Sequence, residues 1–95
     1  MGGLRFEWDP REAAANLRNH GVSLSEAETV FTDERALLID DPAHSDDEDR
    51  VLLLGLSVVL RLVVVSHSYR RGDTVIRLIS AWKATRSERR QYTNR

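Results

Sequence analysis

Cysteine is absent from the 95 residues, which excludes a disulfide framework and a thiolate zinc site and fits a cytoplasmic setting. No apolar run approaches the roughly 20 residues that a membrane-spanning helix needs. The stretch from Val58 to Val65 is broken by Arg61, and Met1-Gly2-Gly3-Leu4-Arg5 lacks the charged region and apolar run of a secretory signal. A soluble, cytoplasmic protein that makes no membrane contact is expected. Also missing are a glycine-rich phosphate loop, a nucleophile elbow and a zinc-spaced histidine pair. The acidic segment 40–49 lacks the alternating ligands and central glycine of a calcium loop, so it reads as a solvated loop, with neither metal nor cofactor expected. A chain of this length supports one core, hence one domain over residues 1–95.

Charge is present in quantity and unevenly placed. Residues 1–50 carry thirteen acids against five arginines, a net −8, whereas residues 51–95 carry nine cations against two acids, a net +7. Such polarity suits a basic face that meets a nucleic acid or an acidic protein, although the two halves could also pair with each other.

Leu4-Arg5-Phe6-Glu7-Trp8 alternates as a half-buried strand does. Asp9-Pro10-Arg11-Glu12 supplies a cap, a first-turn proline and a glutamate three residues after the cap, predicting a helix from Pro10 to about Asn19 that Gly21 closes. Ser23-Leu24-Ser25-Glu26 repeats the capping signature and opens a second helix through Phe31. Strands are predicted at Arg35–Asp40, Arg50–Ser57, Arg61–Tyr69 and Asp73–Ala81, the last two joined by a short turn containing Gly72. Thr85-Arg86-Ser87-Glu88 is a third capping box, opening a helix from Arg86 to about Tyr92. The expected class is α+β: two N-terminal helices and a C-terminal helix packed on one side of a mostly antiparallel sheet.

Strand alternation places Arg61, His67 and Tyr69 on one face of their strand, and Val75, Arg77, Ile79 and Ala81 on one face of the next. A hairpin uniting Arg61, His67 and Arg77 would form a cationic groove with Tyr69 at its rim. Arg77, interrupting an apolar strand, should pair with a carboxylate such as Glu48 or open to a cleft. His44 is read as organising its loop, and His20 as complementing a helix end. Arginines and one lysine without a strong base suit RNA cleavage through the substrate's own 2′-hydroxyl, where the protein stabilises a crowded anionic phosphorus.

Several segments in one register resemble the BrnT family of toxins from type II toxin-antitoxin systems. They are Phe6-Glu7-Trp8-Asp9, Asn16 with His20-Gly21-Val22, Ala27 with Val30-Phe31, and His44-Ser45 with Glu48 and Arg50. They continue with Gly55, Ser57, Arg61, Ile79-Ser80-Ala81, Lys83-Ala84-Thr85-Arg86, Glu88-Arg89 and Tyr92. The resemblance implies a RelE-like fold and a growth-arresting endoribonuclease. It implies a hetero-oligomer with a BrnA-type ribbon-helix-helix antitoxin, and operator DNA bound through that complex. It points to Arg61 and Arg86 as holding the scissile phosphate, with Lys83 assisting. Arg77, His67 and Tyr92 are candidates for positioning RNA, and Arg70, Arg71, Arg89 and Arg90 for contacting its backbone. Two positions depart from the family pattern. Leu60 stands where a glycine usually precedes the arginine, so a local change in the turn is expected. Trp82 stands where an arginine usually precedes the lysine, which predicts a weakened or inactive toxin, since indole cannot clamp phosphate. The competing expectation is a non-catalytic module that binds RNA or an acidic protein through the same basic face.

Overall fold

The computed structural model describes residues 3–41, 50–70, 72 and 74–95. Five strands form one sheet in the order β1-β5-β4-β3-β2. In chain order the elements are β1 (Arg5–Glu7), α1 (Pro10–His20), α2 (Leu24–Thr29) running into a 3-10 turn (Val30–Thr32), β2 (Leu37–Ile39), β3 (Val51–Leu56), β4 (Leu62–Arg70), β5 (Val75–Lys83) and α3 (Arg86–Thr93). All neighbouring strands are antiparallel except β1, which runs parallel to β5. The α+β class and the element order agree with the sequence reading. Among the described residues no helix is long and apolar enough to cross a membrane.

Each helix starts at the cap the sequence marks. Asp9 accepts from the Arg11 N–H, Ser23 from the Glu26 N–H and Thr85 from the Glu88 N–H, and Gly21 ends α1 in the left-handed conformation that glycine takes without steric cost. Only Glu88 completes a reciprocal box, by accepting from the Thr85 N–H. The side chains of Glu12 and Glu26 turn instead toward arginines of the C-terminal half, Arg77 and Arg61.

The sheet is covered on both faces, a correction to the one-sided packing expected. Val63, Val64 and Val65 are consecutive and all fully buried, so alternate residues of β4 feed two cores. One core joins Val63, Val65, Ile76, Leu78 and Ala81 to Val22, Leu24, Ala27 and Val30 of the N-terminal helical layer. The other gathers Leu52, Leu54 and Val64 with Trp82, Ala84 and Tyr92, and so seats α3. Gly55 is required where the 3-10 turn crosses β3, because a Cβ there would lie 2.8 Å from both Ala36 Cβ and Val30 Cγ1.

The register shifts within the β4–β5 pair: Ser66 faces Ser80, but His67 faces Leu78. Ile79 is thus an extra residue, a bulge that reverses which face the rest of β5 presents. Arg77 stands opposite Ser68, whereas Ala81 and Lys83 stand opposite Val65 and Val63. The expected common face of Val75, Arg77, Ile79 and Ala81 is therefore broken, and Arg77 does not share a face with His67.

β1 ends at Glu7, opposite Arg77, leaving the later part of β5 without a strand neighbour on that side. Asn16, buried in α1, supplies the missing hydrogen bonds. Its amide nitrogen donates to the carbonyls of Val22 (2.8 Å) and Ala81 (2.9 Å), and its oxygen accepts from the Ala81 N–H (3.0 Å) and the Ser80 hydroxyl (2.9 Å). Replacing one of these amide donors with a second acceptor turns bonds into repulsions. Asn16→Asp, nearly the same shape, is expected to lower the unfolding free energy by about 3 kcal/mol or more in urea titration. A loss below about 1 kcal/mol would show that this carboxamide does not hold the helix to the sheet.

Candidate functional site

The β3–β4 connection is a tight hairpin. The Leu60 N–H donates to the Ser57 carbonyl and the Ser57 N–H to the Arg61 carbonyl, both at 2.9 Å, enclosing Val58, Val59 and Leu60. Leu60 has φ 64°, the left-handed region where a leucine costs about 1–2 kcal/mol and a glycine nothing comparable. The departure at this position thus leaves a glycine-type backbone in place and adds an exposed isobutyl group.

α2 fixes this hairpin from behind. Glu26 accepts from the Ser57 hydroxyl (2.7 Å) and from Arg61 Nε (2.9 Å), and a second contact joins Arg61 Nη2 to the other carboxylate oxygen. Arg61 Nη2 also donates to the Gly21 carbonyl (3.1 Å), and the Val58 N–H donates to the Thr29 hydroxyl (2.9 Å). The hydrogen bond from Arg61, aided by that of Ser57, holds the Glu26 carboxyl below its ordinary range despite burial, and the same pairing pushes Arg61 up. Arg61 is oriented and partly neutralised, with its side chain 35% exposed.

Beside it opens a cleft of about 330 Å³ lined by Leu56, Leu60, Arg61, Leu62, Lys83, Ala84 and Arg89. Arg61 and Lys83 line the same cleft, and Arg89 lines it with them. Arg86 is exposed on the first turn of α3 and is not among the lining residues. Arg90 is likewise exposed on α3.

The remaining predicted residues lie elsewhere. Arg70 and Arg77 line a separate groove of about 470 Å³ with Arg50, Ser68, Tyr69, Ile79 and Glu12. Arg77 and Lys83 stand six positions apart along β5, roughly 20 Å at strand spacing. Arg77 takes Glu7 (3.6 Å) and Glu12 (3.7 Å) as its acidic neighbours, and Arg70 pairs with Glu7 at 2.9 Å. Arg71, together with the roles expected of Glu48 and His44, lies outside the described residues.

His67 is 0% exposed, so its expected role in positioning RNA does not hold: the ring has no access to solvent. It sits edge-on between Phe31 (4.9 Å) and Tyr69 (5.2 Å), with Nδ1 3.0 Å from the Val65 carbonyl. Burial pushes its pKa down, and the carbonyl contact only partly offsets this. Tyr92 is committed to packing: its ring joins the α3 core and its hydroxyl donates to Asp33 at 2.7 Å. Burial raises the Asp33 carboxyl, but hydrogen bonds from the Leu56 N–H, Tyr92 and the Arg35 N–H hold it below the ordinary range overall. Burial and then Asp33 push the Tyr92 phenol up.

Trp82 lies within β5, not after it, and packs in the α3 core while its indole N–H donates to Glu88 at 3.3 Å. His20, exposed at the end of α1, has its ring 6.4 Å from that of Trp82. Its chain neighbour Gly21 accepts from Arg61. Sequence reasoning left Glu26, Asp33 and His20 out of the site; the Ser-x-x-Glu signal found Glu26, but only as a helix cap.

A family model described as "Ribonuclease toxin, BrnT, of type II toxin-antitoxin system" matches residues 8–88. The chain belongs to this family of ribonuclease toxins, whose systems pair each toxin with an antitoxin. The crystal structure of the Brucella abortus ribonuclease toxin BrnT, determined at 1.1 Å resolution, aligns with a TM-score of 0.66 at 19% identity, covering 87% of this chain and 99% of that one. This likeness establishes the shared fold. No curated protein matches the chain.

The buried histidine carries a pH signature. With the folded pKa depressed, the unfolded state binds the proton more readily. The stability that neutral His67 contributes is thus complete above the unfolded value near 6.5 and is lost as pH falls toward the folded value. Unfolding free energies of wild type and His67→Phe are expected to diverge in slope as pH falls below about 6.5, with wild type falling faster. Parallel profiles would show that the imidazole is not held neutral.

Proposed function

We propose that this chain is a metal-independent endoribonuclease that cleaves RNA through the substrate's 2′-hydroxyl at the cleft holding Arg61 and Lys83. The observation carrying this reading is the convergence of Arg61, Lys83 and Arg89 on one cleft in a chain of a ribonuclease family. The 2′-oxygen attacks phosphorus and the 5′-oxygen departs, leaving a 2′,3′-cyclic phosphate and a 5′-hydroxyl. Arg61, oriented in advance by Glu26, is suited to donate to the phosphoryl oxygens as charge builds there. Lys83 neutralises the same charge, and Arg86, exposed on the first turn of α3 outside the cleft lining, is assigned to reach the phosphate of bound RNA from there. Arg89 contacts the adjoining backbone. Glu26, its carboxyl stabilised as the anion by Arg61, is a poor base.

The partner of the toxin is a BrnA-type ribbon-helix-helix antitoxin, and the hetero-oligomer binds operator DNA through that antitoxin; the setting is cytoplasmic. The groove at Arg70 and Arg77 serves RNA backbone contacts outside the cleavage point, its charge softened by Glu7 and Glu12.

Purified protein incubated with ribosome-free RNA is expected to yield fragments ending in 2′,3′-cyclic phosphate. Arg61→Ala and Arg86→Ala should each lower the rate by about 100-fold or more, with thermal melts confirming the fold because Arg61 also anchors the hairpin. RNA binding without fragments would overturn this assignment in favour of a non-catalytic binding module.

Trp82 attenuates the toxin in this reading, because it fills the family's arginine position with a side chain committed to the α3 core. Trp82→Arg is expected to strengthen growth arrest, provided its melt shows that α3 stays seated. Equal and strong arrest by both proteins would remove the case for attenuation.

A further inference from the structure

The hairpin tip presents three consecutive apolar side chains to solvent: Val58, Val59 and Leu60 are 70%, 59% and 76% exposed. Leu60 adopts the left-handed backbone at this tip, where glycine would relieve strain. A large apolar group kept in a strained conformation and left exposed among the described residues marks a contact made with something else. The tip is also rigid, since α2 grips it through Glu26, Thr29 and the Ser57 hydroxyl. A partner docking there would spend little on ordering it.

Behind the tip, Leu56, Leu62 and Ala84 line the cleft together with Lys83 and Arg89. An apolar ridge beside a cationic cleft is complementary to a segment carrying apolar side chains and carboxylates. RNA is a poor fit for the ridge, because valine and leucine offer neither a ring for stacking nor a hydrogen bond. A second copy of this chain is disfavoured, because a two-fold contact through the tip would bring the Lys83 and Arg89 pairs together.

We propose that the Val58-Val59-Leu60 ridge, with the cleft at Lys83 and Arg89, is the docking surface for an acidic amphipathic segment of the antitoxin. That segment would cover the cleft and so block RNA entry. The inference rests on the reading of this cleft as the ribonuclease site.

The test measures affinity by calorimetry between this chain and the antitoxin encoded beside it, together with RNA cleavage by the free chain. Leu60→Gly is expected to raise the melting temperature while weakening antitoxin binding at least tenfold, opposite signs that misfolding cannot produce. The double variant Val58→Asp/Val59→Asp should weaken binding about 100-fold and leave RNA cleavage at the wild-type rate. Affinities within twofold of wild type in both variants would overturn the docking surface, as would a wild-type chain that does not bind this antitoxin. Parallel loss of antitoxin binding and RNA cleavage in the double variant would also overturn it, assigning the ridge to the RNA site. A chain that cuts no RNA, yet loses antitoxin affinity with Leu60→Gly, supports the docking surface and sinks the ribonuclease reading alone.

Discussion

The carboxamide of Asn16 occupies the place that a longer β1 would fill. Because β1 stops at Glu7, the backbone of Ala81 has no strand to pair with on that side, and one buried side chain supplies both the acceptor and the donor. The same group holds the Val22 carbonyl, so α1, the turn after it and β5 meet at a single point. A hydroxyl or a carboxylate in this position could not satisfy two carbonyls and an N–H together. The fixed end of α1 sets Gly21 within reach of Arg61 and His20 beside Trp82. The geometry of the cleft is thus inherited from a bond network buried in the core.

Charge follows a related logic. Four ion pairs among the described residues link acids of the N-terminal half, Glu7, Glu12 and Glu26, to arginines of the C-terminal half, Arg61, Arg70 and Arg77. Polarity along the chain is in this respect an assembly code, drawing the helical layer onto the sheet, as well as a means of meeting an outside anion. Lys83 and Arg89 lie along the cleft beyond this pairing network, which concentrates its positive character there.

Local rules carried most of the secondary structure. Caps at Asp9, Ser23 and Thr85, the stop at Gly21 and the valine-rich runs locate every helix and the three long strands to within a few residues. Tertiary choices were less legible. A Ser-x-x-Glu signature states that Glu26 can close a capping box, but an arginine 35 positions later competes for the same carboxylate and wins it. The bulge at Ile79 leaves no mark in an apolar run, and without it alternation assigns Arg77 and Ala81 to one face. His67 reads as a polar interruption of a strand, yet its ring is satisfied within a cage of aromatic neighbours. The three successive valines of β4 could have announced two cores, since a strand with one wet face rarely buries adjacent residues.

The extra residue in β5 acts as a phase change in a periodic signal. Before it, the strand sends Arg77 to the face that holds Ser68; after it, the parity inverts, so Trp82 turns into the core beneath α3 while Lys83 emerges at the sheet's end. A single strand can in this way serve two distant surfaces whose side-chain demands are out of step. A length change of one residue anywhere between Arg77 and Trp82 would exchange those two destinations, burying a lysine and exposing an indole. The spacing of this segment is therefore less free to drift than its plain apolar composition suggests.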